Sequence, residues 1–321
     1  MRYFLIILFL VSFASCEQKS TIKVLYLAHN MPQTHPVHKG ILTFQESLSK
    51  RSEGALVIKV FPDGQLGSER EVLELLQIGS VAITKVSAAT MSNFVPDYDV
   101  LNIPYLFRDN DHFFNVLEGE IGKSLLEKGS DFWLRGLCFY DAGSRNFFTK
   151  DKPIRTPEDL KGLKIRVMNN EISIKMVNSL GGSATPMAFS ELYTAIQQGV
   201  VDGAENNPPS FVSSNQYEVS KYYTLDEHTS VPDVLIISTK YWDKLSAKEK
   251  QWVQEAANES AQAEKKYWNA SVEESMQKLK ESGVEIIVPD KSLFAEKSMS
   301  VLEEMIKDER LKELVEKIKA E

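Results

Sequence analysis

The 321-residue chain is poor in cysteine, with only Cys16 and Cys138. If Cys16 is set apart as part of an export signal, one thiol remains, so no internal disulfide forms and stability must come from packing. Cys138 lies between Leu137 and Phe139, a context that reads as a buried strand where a free thiol acts as a small hydrophobe. A catalytic thiol is the sharper reading and the less economical one. Positive charge is also short: 37 Lys and Arg face 45 Asp and Glu, a net charge of −8, which excludes an extended basic face for nucleic acid. An anionic ligand is not excluded, because one buried arginine outweighs distant charges at contact range. There is no phosphate loop, dinucleotide fingerprint, His-Glu-x-x-His, Gly-x-Ser-x-Gly or cysteine pair, so the common signatures of catalysis and cofactor binding are missing. What remains is an ordinary globular composition, long enough for two domains that each bury a core.

The N-terminus is more informative. Arg2 precedes an apolar run from Phe4 to Val11, then Ser12, Phe13, Ala14, Ser15 and Cys16. A membrane span needs about 20 apolar residues, so this run is too short, and the pattern reads as a secretory signal over residues 1–15. Ala14-Ser15-Cys16 looks like a bacterial lipobox with Cys16 as the lipidated residue. Residues 16–20 would then be a polar tether to a membrane surface.

From residue 21 strands and helices alternate. Ile22 to Ala28, Leu56 to Phe61 and Val81 to Val86 read as strands, with helices over Val37 to Ser52 and Ser68 to Ile78 between them. That is a βαβαβ unit with a largely parallel sheet. A second block starts near Gly143. Thr156-Pro157-Glu158-Asp159 carries helix-start chemistry, Leu163 to Val167 and Val200 to Ala204 read as strands, and Ile172 to Leu180 and Ser190 to Gln198 as helices. Leu245, Ser246 and Glu249 form a staple and capping box, after which no glycine or proline occurs until Gly283. A helix over Ala247 to Ser282 would span roughly 54 Å, against about 30 Å for a small domain. Such a helix runs across both domains and leaves a cleft between them.

Polar groups at strand ends are the remaining candidates, since α/β folds bind ligands there. Arg166 ends the strand Lys164-Ile165-Arg166-Val167, and a guanidinium there would grip a carboxylate with two parallel bonds; a solvated surface arginine is the simpler local reading. Asn169 follows it. Asp202 to Asn207, before Pro208-Pro209, offers an acid and amides (Glu205, Asn206, Asn207) suited to hydroxyls, although a plain loop has the same composition. Arg145 is a third candidate. His35 and His38 stand three apart, but without a third ligand they read as surface or cleft residues and not as a metal site.

Gly162-Leu163-Lys164-Ile165-Arg166-Val167-Met168-Asn169 resembles the signature strand of TRAP transporter solute-binding proteins (tripartite ATP-independent periplasmic). Thr185 to Tyr193, Val201-Asp202-Gly203 with Glu205-Asn206, Phe61-Pro62 with Gln65-Leu66-Gly67, and Ile103 to Phe107 fit the same family, in order over nearly the whole mature chain. The resemblance implies an α/β, two-lobed periplasmic-binding-protein fold with a ligand cleft and a long helix spanning both lobes. It also implies ligand enclosure by hinge closure. Lobe I is expected over 21–142 plus about 232–272, lobe II over 143–231 plus about 273–321. Arg166 is implied to pair with the substrate carboxylate, and Asn169, Phe189, Asn206 and Arg145 to line the cleft. His29 and Glu69 match positions that reach ligand hydroxyls. Ser87 stands where the sialic-acid branch has an acid, which argues against sialic acid. Glu205 to Phe211, Asp226 to Thr229 and Val231-Pro232-Asp233 look most like the hexuronate branch, so Asp233 joins the expected site.

The expected protein is therefore a monomeric, extracytoplasmic binding subunit with no cofactor and no metal. It captures a glucuronate- or galacturonate-like acid for the membrane subunits of a TRAP transporter. A C4-dicarboxylate is the second ligand class. The rivals are an exported sugar-acid lyase or hydrolase, which would need a positioned base and usually a metal or nucleophile, and a binding module that serves a sensor.

Overall fold

A computed structural model describes residues 22–321; the signal, Cys16 and the tether over 16–20 lie outside the described residues. Eleven strands form two sheets. In chain order they are β1 (Lys23–Ala28), β2 (Leu56–Phe61), β3 (Ile83–Ser87), β4 (Leu134–Tyr140), β5 (Ser144–Thr149) and β6 (Lys164–Val167). They continue with β7 (Ser183–Pro186), β8 (Gly203–Asn206), β9 (Tyr222–Ser230), β10 (Asp233–Ser238) and β11 (Glu285–Ile287).

The expected βαβαβ unit is present. Helix α1 (Pro36–Arg51) and helix α2 (Glu69–Ile78) join parallel β1, β2 and β3. Each helix end has a local cause. His35 accepts from the Val37 amide at the start of α1, with Pro36 behind it. Ser68 and Glu71 form a capping box on α2, and Gly79 ends it at φ 81°, a left-handed turn that glycine takes without strain. The first sheet runs β2-β1-β3-β10-β4 and the second β11-β9-β5-β8-β6-β7.

The polypeptide passes between the sheets at Asp141-Ala142-Gly143, after β4, and at Val231-Pro232, after β9. The long helix, Ala247–Glu281, is the third connection: it packs on α1 and β4 of one lobe and on the Pro208–Ser213 helix and β11 of the other. Its 35 residues extend about 52 Å, so the expected spine is there. Gly40 of α1 allows it close, since a Cβ at Gly40 would stand 2.7 Å from the Cβ of Glu264. Glu264 is fully buried and accepts from the Asp141 amide at 2.9 Å. Burial, and then the neighbouring Asp141, push its carboxyl well above the usual range.

Several expectations change. Thr156 to Asp159 starts only one 3₁₀ turn, Pro157–Leu160, because Gly162 at φ 82° and the strand at Lys164 leave no room for more. The strand expected over Val200 to Ala204 is Gly203–Asn206, so Glu205 and Asn206 are strand residues and not loop residues. The helix Lys291–Met305 packs on β9, but the last helix, Glu309–Ala320, packs on the Pro96–Asn102 turn and the Glu120–Lys128 helix of the first lobe. Placing all of 273–321 in the second lobe is therefore corrected for that helix, whose apolar face of Leu311, Val315 and Ile318 is buried there.

Gly40→Val forces a branched side chain into the α1–long helix contact. The expected loss is about 1–3 kcal/mol of stability, read as a lower urea midpoint with an unchanged slope; an unchanged midpoint would show that the helix spacing is adjustable.

Candidate functional site

A cavity of about 750 Å³ lies between the lobes, within the range of small-molecule sites. It sits where the C-terminal ends of β3, β6 and β8 and the N-terminal ends of β5 and β10 converge. Of the expected residues, Glu69, Ser87, Arg145, Arg166, Asn169, Phe189, Asn206, Asn207 and Asp233 line it. His29 and Glu205 do not line it and stand behind it. The His29 ring is turned away to His38, Nε2 to Nδ1 at 3.0 Å, while its Nδ1 accepts from the Met31 amide. Burial, then Lys85 and His38, lower its pKa to about 3, so it stays neutral. Glu205 lies behind Arg145, 1% exposed.

Lys85, Arg145 and Arg166 define the electrostatics. Lys85 of β3 is fully buried, with Nζ 2.9 Å from Asp233 Oδ2 and 3.3 Å from Glu69 Oε1. Burial opposes its charge, but the two carboxylates more than restore it and raise its pKa. Two acids share one cation, so burial and the charge of Glu69 push the Asp233 carboxyl up despite the ion pair. Glu69, the first residue of α2, is fixed by the Thr90 hydroxyl at 2.7 Å and the Ser87 amide at 3.2 Å.

Arg145 owes its direction to a bulge. The β5–β9 register shifts between Arg145 and Phe147; Asp226 accepts the Phe147 amide and Asn146 accepts the Glu227 amide across the gap. Arg145 then pairs with the Glu205 carboxylate and donates to Asn206 Oδ1 at 3.2 Å. Burial alone would raise the Glu205 carboxyl, but Arg145 and His228 hold it at about 2.

Arg166 differs. On β6, between β7 and β8, it is 2% exposed. Its Nε and one terminal nitrogen donate to the Met187 carbonyl at 3.1 and 2.8 Å, and its guanidinium stands 5.9 Å over the Phe189 ring. Among the described residues no carboxylate forms an ion pair with it. Burial, and then Arg145, lower its pKa to about 10 despite the distant pull of Glu205, Glu69 and Glu191. It is a buried charge that remains charged, facing a cavity.

Three neighbours, Trp268, Asn93 and Asn170, stand outside the expected set, and His35, expected only as a surface or cleft residue, is a further polar contact between the lobes. His35 directs Nε2 at Ser210 Oγ, 3.1 Å away in the other lobe, and is kept neutral mainly by burial. Since its Nδ1 accepts from Val37, Nε2 carries the proton and donates. Trp268 of the long helix lines the cavity beside His35, ring centroids 5.8 Å apart. The His-Pro pair was a visible helix-start signal for His35; nothing local marked Trp268. On the other flank Asn93 and Asn170 bond across the lobes to the Asn169 carbonyl and Ser92 hydroxyl, both at 2.8 Å. No group of three or more His, Cys, Asp or Glu among the described residues is arranged to hold a metal.

Two α/β lobes around a polar cleft, with a buried cation unmatched among the described residues, have the layout of a protein that encloses a small ligand. The chain belongs to the bacterial extracellular solute-binding protein family 7 (DctP), whose model matches residues 27–309. It is 39% identical to a TRAP periplasmic solute-binding protein of Pseudomonas putida F1, solved with bound D-glucuronate, at a TM-score of 0.90, covering 93% of this chain and 97% of that one. A counterpart from Xanthobacter autotrophicus Py2, with bound β-D-galacturonate, shares 37% identity at a TM-score of 0.90, covering 92% and 99%. A solute-binding protein of Chromohalobacter salexigens is 34% identical over 86% of this chain and 83% of its own length.

His228 is fully buried, with Nδ1 2.7 Å from Asp226 and Nε2 3.5 Å from Glu205, the latter a charge contact and too long for a strong hydrogen bond. Burial disfavours its charge, yet the two acids raise its pKa to about 9. Its stabilisation is therefore full below the unfolded value near 6.5 and is lost as pH rises through about 9. Melting temperature is expected to fall across that window, and His228→Gln to flatten the profile there; an unaltered slope in the variant would assign the loss to another group.

Proposed function

We propose that this protein binds a hexuronate, glucuronate or galacturonate, through its single carboxylate at Arg166, and that the lobes close about a hinge to enclose it. The observation that carries this reading is a buried guanidinium without a carboxylate partner among the described residues. Leaving such a charge unpaired is costly, so closure is favoured with an acid in the cleft and disfavoured without one. Lys85 and Arg145 already have carboxylates, which favours a monoanion over a C4-dicarboxylate. Glu69, Asn169, Asn206, Asn207 and Asp233 offer hydroxyl contacts, with Phe189 and Trp268 as apolar walls. The bound uronates of the two structural relatives support the same choice.

The chain would release its ligand unchanged to the membrane subunits of a TRAP transporter, not convert it. The serine–histidine pair at the cleft, Ser210 and His35, is not set for catalysis: His35 Nδ1 accepts from the Val37 amide, so its Nε2 carries a proton that points at the hydroxyl and cannot take the proton from it. We place lobe I at 21–142 with about 232–272 and the last helix, and lobe II at 143–231 with about 273–305. Export by residues 1–15 and lipidation of Cys16 complete the reading, holding the protein at the outer face of the cytoplasmic membrane.

Arg166→Lys keeps the charge and loses the planar fork. Titration calorimetry with D-glucuronate is expected to show roughly 10- to 100-fold weaker binding, as for loss of a charge-assisted bond. Equal affinity in the variant would sink the assignment, and recovery of a converted sugar would point to an enzyme. Separately, expressed full-length chain should incorporate labelled palmitate in bacteria, and Cys16→Ala should abolish incorporation; label retained in the variant would remove the lipobox reading.

A further inference from the structure

The end of lobe I farthest from the cleft has a chemistry that ligand binding does not explain. There β1 and β2 start, α2 stops, β4 starts, and β10 runs into the long helix. These ends are tied together: the Lys23 amide donates to the Ala55 carbonyl at 2.8 Å, and the Thr239 amide to the Trp133 carbonyl at 3.1 Å. The Gln77 side chain reaches the Phe132 carbonyl at 3.1 Å. Large apolar side chains are left in water on this rim: Ile22 62%, Ile78 65%, Trp133 53% and Phe132 37% exposed. The backbones of Phe132 and Trp133 are fixed by the bonds just named, Ile78 is the last residue of α2 and Ile22 adjoins the bonded Lys23, so the exposure belongs to the folded lobe.

Charge on the same rim runs against the rest of the chain. Residues 239–250 carry Lys240, Lys244, Lys248 and Lys250 against Asp243 and Glu249, and Glu249 is neutralised by Lys23 at 2.7 Å. Asp131 adds one acid, and Lys50 with Glu53 at the end of α1 cancel. A protein of net charge −8 thus gathers a basic surplus at one pole. Several of these cations lie on aromatic rings, Lys248 4.9 Å from Trp252 and Lys250 5.7 Å from Trp242. An exposed tryptophan and phenylalanine on the same rim as a run of lysines suit the headgroup layer of a bilayer, where an aromatic ring is half-immersed and an ammonium meets phosphate. Anionic phospholipid supplies the charge that complements these lysines, and exposed rings on the same rim suit a lipid interface.

We infer that this pole of lobe I rests on an anionic phospholipid surface. Its distance from the N-terminal anchor site agrees: Cys16 precedes Lys23 by seven positions, a reach of at most about 25 Å. If Cys16 is lipidated as proposed above, a lipid chain and a basic patch together give the two signals that stable membrane residence requires. With this pole down, the cleft at the opposite strand ends stands away from the lipid, open to solute. The inference is independent of which acid the cleft holds.

The test uses the full chain on vesicles with brominated acyl chains, roughly one lipid in three being phosphatidylglycerol, against phosphatidylcholine alone. Bromine quenches tryptophan in contact with lipid, and none of the four tryptophans lies in residues 1–21. Anionic vesicles are expected to quench emission, with Trp133→Phe removing most of the quenched component. The combined Lys240→Glu, Lys244→Glu and Lys248→Glu variant, or about 0.5 M NaCl, should cut it at least about twofold while D-glucuronate affinity stays unchanged, which also checks the fold. Equal quenching on neutral vesicles, equal quenching in the charge-reversed variant, or quenching only after the transporter's membrane subunits are added would overturn the proposal.

Discussion

A guanidinium buried without a counter-charge organises the second lobe. Arg166 is held by a carbonyl and an aromatic face, contacts that fix its direction without cancelling its charge. A side chain of this kind is tolerated when something else in the fold over-determines it. Here that support is the placement of β6 between β7 and β8, with Ile165 and Val167 buried on either side. The strand cannot turn over without exposing them, so the arginine between them cannot leave the cleft.

The other two cations show what full compensation looks like in the same molecule. Arg145 has Glu205, itself backed by His228 and Asp226, and Lys85 has two acids. Each network fixes the side chains of its own lobe before any ligand arrives, which is the rigid supporting shell that a selective site needs. The lobes themselves meet through uncharged bonds, His35 to Ser210 and Asn170 to Ser92 among them. Bonds of that kind are individually weak, so relative motion of the lobes need not disturb either charge network.

The legible parts of the chain were those with local causes. The βαβαβ start, the capping boxes at Ser68 and Ser246 and the long uninterrupted helix follow from spacing and caps, and the structure has them. Arg166 and Asn206 were readable only as polar groups at strand ends; their convergence became an expectation through family resemblance and not through local chemistry. The Thr156 start was misjudged in length because the stop signal at Gly162 follows so closely. Spacing does not say which way a side chain turns, and His29 and Glu205 each turn to a partner on another element, His38 and Arg145. The return of the last helix to the first lobe depends on tertiary packing alone, and no pattern within Glu309–Ala320 announces it.

Charge is divided between the lobes in a way that orients the ligand. Apart from the exposed Asp63, Arg70, Glu71 and Glu191, the lobe I side has one cation for two acids, Lys85 for Glu69 and Asp233, and the lobe II side has two arginines for one acid, Arg145 and Arg166 for Glu205. A molecule that is anionic at one end and hydroxylated along the rest therefore has one low-energy direction in the cleft, acid toward lobe II and donors toward lobe I. Reversing it sets a carboxylate against Glu69 and leaves Arg166 unmatched, two penalties at once. A second carboxylate on the ligand meets the same repulsion. Discrimination in this design comes less from added attraction than from the misfit of every other arrangement, and that misfit grows as closure excludes water from between the walls.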